Sequence, residues 1–212
     1  MTNFIIIRHG ESVANKDDVC IGHTDFDLSE KGRIQAQLTA EYIIKNFKVD
    51  KIYSSDLKRA YNTAKAVADR LGISIIPNEN LREMYFGDWE NRKISDLIEN
   101  EEEFKLWKKD IGKTRSPGGE TVRDMYDRVI AEVEKIAKEN DGKTVLIATH
   151  ATPIRAIQCA WEGKTIDGMK DVPWVANASV STGVYEDGRF SIQEFSHDSH
   201  MGELVTRLSK EI

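Results

Sequence analysis

Two apolar runs in this chain each end in a histidine, and the residues around those histidines are of types that handle phosphate. Arg8-His9-Gly10-Glu11-Ser12 follows Phe4-Ile5-Ile6-Ile7. Arginine offers phosphate oxygens a planar fork of donors, neutral histidine is a nucleophile, and glycine lets the backbone turn close to a ligand. Further along, Ser54-Ser55-Asp56-Leu57-Lys58-Arg59-Ala60 places Arg59 in the first turn of a helix, where the terminus already favours an anion. Taken alone, that segment reads better as an Asp56 cap with basic residues facing water; the negative net charge is what makes Arg59 a phosphate clamp. Between Leu81 and Glu90, a carboxylate among Tyr85, Phe86 and Trp89 has its pKa raised by desolvation and can act as a general acid near neutral pH. Asp88 and Glu90 fit an exposed position better than Glu83 does. His150 ends the second run, Thr144-Val145-Leu146-Ile147-Ala148-Thr149, and on its own is equally a core histidine.

The elements that must position these residues follow from periodicity. Both histidine-ending runs read as parallel strands covered on two faces, whose carboxyl ends open on one crevice. Ser29 caps a helix with an apolar stripe of Ile34, Leu38, Ile43 and Phe47. Lys51 to Tyr53 is a short strand, followed by a helix carrying Leu57, Ala60, Ala64, Val67, Ala68 and Leu71 on one face and closed by Gly72. Ile73 to Ile76 is the next strand. Residues 81–119 are polar and acidic and read as an irregular helical insertion above the sheet. A helix capped at Thr121 presents Met125, Val129, Val133 and Ile136, and Pro153 suits the first turn of another after His150. Val180 to Tyr185 and Phe190 to Phe195 form a hairpin turning at Asp187-Gly188. The expected fold class is α/β, a three-layer sandwich with a mostly parallel central sheet flanked by helices. The whole chain, 1–212, is expected to be one domain, with a cap-like insertion over about 81–119.

Bulk properties narrow the function classes. A formal charge of -6 argues against non-specific nucleic-acid binding, so any anion site must be a local basic pocket. No segment has the apolar length of a membrane span or a signal peptide, which leads to the expectation of a cytoplasmic protein without membrane partners. Cys20 and Cys159 share no metal or redox spacing. His197-Asp198-Ser199-His200 looks like a metal cluster but lacks further strong ligands, so no metal site is expected; a tail brushing the pocket mouth is the other reading of this region. His23 either touches substrate or faces solvent.

Together these segments resemble the histidine phosphatase superfamily, which includes the cofactor-dependent phosphoglycerate mutases. The resemblance rests on Arg8-His9-Gly10-Glu11-Ser12 with Asn15, on Leu28-Ser29-Glu30-Lys31-Gly32 with Gln35-Ala36, and on Ser54 to Ala60 with Thr63-Ala64. It implies a phosphoglycerate mutase-like fold, His9 as the phosphorylated nucleophile, Glu83 as proton donor, and Arg8, Arg59 and His150 as holders of the phosphoryl group. Asn15, Gly22 and Ala151 join Arg8, Arg59 and His150 as substrate-binding positions. Asn91 and Ala151 stand where the family usually has glycine, and the Ala151 methyl could narrow the phosphate pocket.

In this scheme His9 attacks phosphorus in line, the arginines and His150 neutralise the equatorial oxygens, and Glu83 protonates the leaving alkoxide. Water then releases phosphate. Guanidinium groups supply the positive charge, so no metal and no cofactor is expected. Phe86-Gly87-Asp88-Trp89-Glu90-Asn91 lacks the mutase pattern at this point, and Ser116-Pro117-Gly118-Gly119-Glu120-Thr121 resembles broad-specificity and α-ribazole phosphatases. The expected activity is therefore hydrolysis of a small phosphorylated metabolite, possible as a homodimer; the alternatives are a phosphoglycerate mutase and a catalytically silent phosphate-binding protein.

Overall fold

The central strand of the fold is β1 (Thr2–Arg8), buried from Phe4 to Arg8 because it has a strand on either side and helices on both faces. The description comes from a computed structural model and covers residues 1–113 and 115–208; the last four positions of the expected domain lie outside the described residues. In chain order there follow α1 (Val13–Lys16), α2 (Glu30–Asn46), β2 (Lys51–Ser54), α3 (Lys58–Leu71) and β3 (Ile75–Pro77). The insertion carries α4 (Ile94–Asn100) and α5 (Glu102–Lys109). The chain continues with α6 (Val122–Glu139), β4 (Thr144–Thr149), α7 (Ala151–Trp161), β5 (Val180–Glu186) and β6 (Arg189–His197).

The sheet runs β3-β2-β4-β1-β5-β6, with the first four strands paired in parallel and β5 running antiparallel between β1 and β6. Alternate residues of β1 serve opposite layers, as the two-residue period of a strand requires. Ile5 and Ile7 pack with Ala36, Ala40 and Ile43 of α2 and Ala64 and Val67 of α3. Phe4 and Ile6 pack with Val129, Val133 and Ile136 of α6 and Ile154 and Ile157 of α7. The sandwich is three-layered and mostly parallel, as expected. Arg8 pairs with Thr149 in the β1–β4 register, so the next residues, His9 and His150, leave the sheet at the same level.

The face of α2 differs from the expected stripe. Its buried positions are Gly32, Gln35, Ala36, Thr39, Ala40 and Ile43, while Ile34 is 51% exposed. Small and polar residues win this face because the helix packs backbone against backbone: a methyl on Gly32 would lie 1.9 Å from the Glu11 carbonyl oxygen. The Gln35 side-chain oxygen accepts from the Glu11 N–H at 2.8 Å, and the Thr39 hydroxyl donates to the Ala178 carbonyl at 2.8 Å. β3 starts later than expected and is an edge strand of three residues, with Ile76 38% exposed. The hairpin turns at Asp187 and Gly188, both at positive φ (49° and 78°), as a type I′ turn demands.

The insertion is more structured than its polar composition suggests. Most of its charges are exposed or half-buried, Glu83 excepted, while Trp89, Leu97, Phe104 and Trp107 are buried in the same cluster as Phe4 and Ile6. No helix among the described residues is long and apolar enough to cross a membrane.

Candidate active site

At the carboxyl ends of β1 and β4 lies a cavity of about 70 Å³ that opens to solvent. Arg8, His9, Asn15, Arg59, Glu83 and Ala151 all line it, brought from the end of β1, from α1, from the first turn of α3, from the insertion and from the start of α7. Gly22 and His150 adjoin these lining residues. The Gly22 carbonyl accepts from Arg59 Nη2 at 2.7 Å, and the His150 ring lies 5.1 Å from that of His9, centre to centre.

His9 is fixed by its neighbours. Its N–H donates to Thr149 in continuation of the strand ladder (3.0 Å), and its carbonyl accepts from Ala178 N–H (3.1 Å). Nδ1 lies 2.7 Å from the Gly10 carbonyl oxygen, which can only accept, so the ring proton sits on Nδ1 and Nε2 keeps its lone pair. Burial, then the charges of Arg59 and Arg8, hold the ring pKa well below the usual histidine range. The imidazole is thus neutral and nucleophilic around neutral pH.

The two arginines are anchored through main-chain carbonyls. Arg8 Nη1 donates to Val175 at 2.6 Å; Arg59 donates to Gly22 and, through Nη1, to Thr24 at 3.1 Å. Both are buried, and burial lowers each guanidinium pKa to about 10, still charged at neutral pH. The Nε atoms of both, together with His150 Nδ1, have no hydrogen-bond partner within the protein. Each such buried donor costs about 1–3 kcal/mol, so these three, with Trp107 Nε1 as a further unpartnered donor on a lining residue, favour acceptor atoms at this place.

His150 is the N-cap position of α7, but its side chain makes no capping bond; Nε2 instead meets Ser55 Oγ at 2.8 Å. With Ser55 Oγ accepting from the Leu57 N–H at 3.3 Å and donating to Nε2, every polar atom of the pair is used and the neutral ring carries its proton on Nδ1. Burial, then Arg59 and His9, keep this ring neutral.

Glu83 is buried, with Oε1 accepting from Met84 N–H at 2.8 Å and Oε2 from Thr152 N–H at 3.3 Å. Burial raises its pKa despite those bonds and the Arg59 charge. Glu90 is bonded differently. Its Oε1 accepts from the N–H groups of His23 (2.8 Å) and Phe86 (3.2 Å), and its Oε2 from the N–H and hydroxyl of Thr24. It ties the loop after α1 to the insertion. His23 is half-buried, lies with its ring tilted at 42° to that of Tyr85, 5.2 Å between centres, and donates from Nε2 to the Glu83 carbonyl at 3.0 Å.

Several residues at the site carry no sequence signal that groups them with it. Arg128 of α6 donates to the carbonyls of Asn80, Arg82 and Glu83 (2.9, 2.9 and 2.8 Å) and to the Glu120 carboxylate, clamping the backbone that bears Glu83. A basic residue flanked by the buried Met125 and Val129 is the trace it leaves in the sequence. Thr206 in the C-terminal segment donates to Glu11 at 3.1 Å and accepts from Gln35 at 3.0 Å, and Leu208 lines the cavity. His197 and His200 stack on Tyr42, with ring centres 4.4 and 4.9 Å away. Among the described residues no group of His, Cys, Asp and Glu could hold a metal ion.

The chain is similar to known proteins over nearly its whole length. Phosphoserine phosphatase 1 of Hydrogenobacter thermophilus is 32% identical over 213 residues, 100% of both chains. Among solved structures, YhfR of Bacillus stearothermophilus superposes with a TM-score of 0.89 at 27% identity, covering 95% of this chain and 100% of that one. A mycobacterial glucosyl-3-phosphoglycerate phosphatase solved with VO3 gives 0.84 at 27% identity, covering 92% and 99%. The family profile of the histidine phosphatase superfamily (branch 1) matches residues 4–198, and the chain belongs to that superfamily.

Proposed function

We propose that the protein hydrolyses small phosphomonoesters with His9 as the nucleophile and Glu83 as the acid and base. The observation that carries this reading is the set of unpartnered donors on Arg8, Arg59 and His150 around a neutral His9 ring. His9 Nε2 forms a bond to phosphorus as the bond to the ester oxygen breaks, and the departing alkoxide takes the Glu83 proton. Arg8, Arg59 and the His150 Nδ1 proton stabilise the charge on the three equatorial oxygens. Water then attacks phosphorus, its proton passes to ionised Glu83, the P–N bond breaks, and phosphate leaves with the enzyme restored. Gly22 serves indirectly, by seating Arg59. Asn15 and Ala151 bound the space next to the phosphoryl group. We read positions 1–212 as one such domain. The free, buried Cys20 and Cys159 fit a cytoplasmic location, and a homodimer is the assembly to test by light scattering.

Rapid quenching during turnover of a labelled substrate is the test. It should trap acid-labile phosphate on His9, and His9→Ala should lose activity by a factor on the order of 10⁴ or more. Label on a serine, or substantial turnover by His9→Ala, would overturn the assignment.

A further inference from the structure

Away from the arginines the cavity is built of different material. Its walls there are Ile21, Ile94, Phe104, Trp107, Trp174 and Leu208, and among the described residues lining the cavity the only cations are Arg8 and Arg59. The aromatic rings form a connected surface. Trp107 lies 5.6 Å from Trp174 at 39° and 5.5 Å from Phe104 at 24°, with Phe86 edge-on to it at 5.6 Å.

Trp174 is held from behind. The Arg155 guanidinium carbon sits 4.0 Å over the indole ring, and its Nη2 donates to the Met169 carbonyl at 2.5 Å. Arg155 is buried and is not part of the cavity lining, so its charge supports the indole without reaching a bound molecule. The residue after Trp174 supplies the carbonyl that anchors Arg8, so one stretch of backbone sets both the phosphate arginine and the aromatic wall.

This wall selects by chemistry. An apolar group entering it trades water for aromatic and aliphatic contact, whereas a carboxylate would lose its hydration and meet no opposite charge on that wall. Phosphoserine and phosphoglycerate carry such groups close to the ester oxygen. We propose that this protein prefers phosphomonoesters of apolar, and above all aromatic-bearing, alcohols, with Trp107 and Trp174 forming the leaving-group subsite. The proposal rests on the phosphatase reading above and adds Trp174 as a specificity residue and Arg155 as its positioning residue.

The test compares primary alkyl phosphates, so that leaving-group basicity changes little: ethyl phosphate, 2-phenylethyl phosphate, O-phosphoserine and 3-phosphoglycerate. The expected kcat/KM for 2-phenylethyl phosphate is at least tenfold above that for ethyl phosphate, the gain lying mainly in KM, and at least a hundredfold above those for the two carboxylated esters. Trp174→Ala should remove most of the phenyl advantage, and Arg155→Met should reduce it several-fold through KM. Inhibition of the unaltered protein gives a readout that needs no variant: 2-phenylethylphosphonate should bind at least tenfold more tightly than ethylphosphonate. Equal or better turnover of phosphoserine or 3-phosphoglycerate, equal inhibition by the two phosphonates, or an unchanged phenyl advantage in a folded Trp174→Ala would overturn the proposal while leaving the phosphatase reading intact. Absence of phosphate release from all four esters, with no phosphohistidine, would overturn both.

Discussion

Glu83 and Glu90 lie on the same loop, and their surroundings give them different work. All four hydrogen bonds to Glu90 come from loop groups of His23, Thr24 and Phe86, so its carboxylate is consumed in holding that loop. Glu83 is buried on the cavity wall with a raised pKa, which suits a group that gives up a proton and takes one back. Glu83→Gln should therefore slow an alkyl phosphate about a hundredfold or more, and an aryl phosphate of low leaving-group pKa far less, because only the poor leaving group needs protonation. With the aryl ester, loss of the base should make phosphohistidine accumulate. Glu90→Gln should show neither effect. Single-turnover rates for the two esters check this, and a leaving-group signature in Glu90→Gln instead would move the acid to that position. At this scale the polar end of the site is legible in the sequence, since Arg8 and His9 end a buried strand with residue types that handle phosphate, and Arg59 joins them through its place in a first helical turn together with the resemblance of its segment. Trp174, Arg128 and Leu208 are not, because packing alone makes them neighbours of residues far away in the chain.

Among the elements, β1, β4 and α6 are legible because long apolar runs and a clean helical stripe admit one reading each. α2 is not, because its contact with the loop after β1 depends on smallness. A periodicity of large apolar residues points to Ile34, while the packed face carries Gly32, Ala36 and Ala40. Gly32→Ala tests this. On helix propensity alone, alanine would gain about 1 kcal/mol, yet the added methyl would sit 1.9 Å from the Glu11 carbonyl oxygen and 2.9 Å from its nitrogen, both backbone atoms. We expect a net loss of several kcal/mol, read as a lowered denaturation midpoint. Turnover should fall as well, because Gly10 packs against the same residue: a methyl on Gly10 would lie 2.5 Å from the Gly32 carbonyl oxygen. A variant as stable as the parent would show that this crossing can relax. The insertion is legible only in part: its polar faces show in composition, whereas Trp89, Phe104 and Trp107 join the main core only once the chain has folded over the cavity.

For the whole molecule, the buried site couples stability to pH. His9 and His150 are held neutral in the folded protein by burial and by neighbouring arginines, whereas in the unfolded chain both take up a proton as pH falls below about 6.5. Each therefore contributes stability that is lost on acidification, with a slope of about 1.4 kcal/mol per pH unit. Glu83 acts in the opposite sense. Its raised pKa lets the folded state keep a proton that the unfolded chain releases above the ordinary carboxylate range, so its contribution declines as pH rises through that interval. Between pH 5 and 6.5, His9→Gln should flatten the dependence of unfolding free energy on pH and Glu83→Gln should steepen it. Denaturant titrations at several pH values check this, and parallel curves for the parent and both variants would show that these groups titrate alike in the two states. The level strand ends of β1 and β4 have a consequence of another kind. Because the register between Arg8 and Thr149 sets where His9 and His150 emerge, the length of chain between them does not enter the chemistry. The stretch that carries Ile94, Phe104 and Trp107 can thus be lengthened, shortened or exchanged without moving the two histidines, whereas the stretch that carries Trp174 cannot, because the carbonyl of the next residue anchors Arg8.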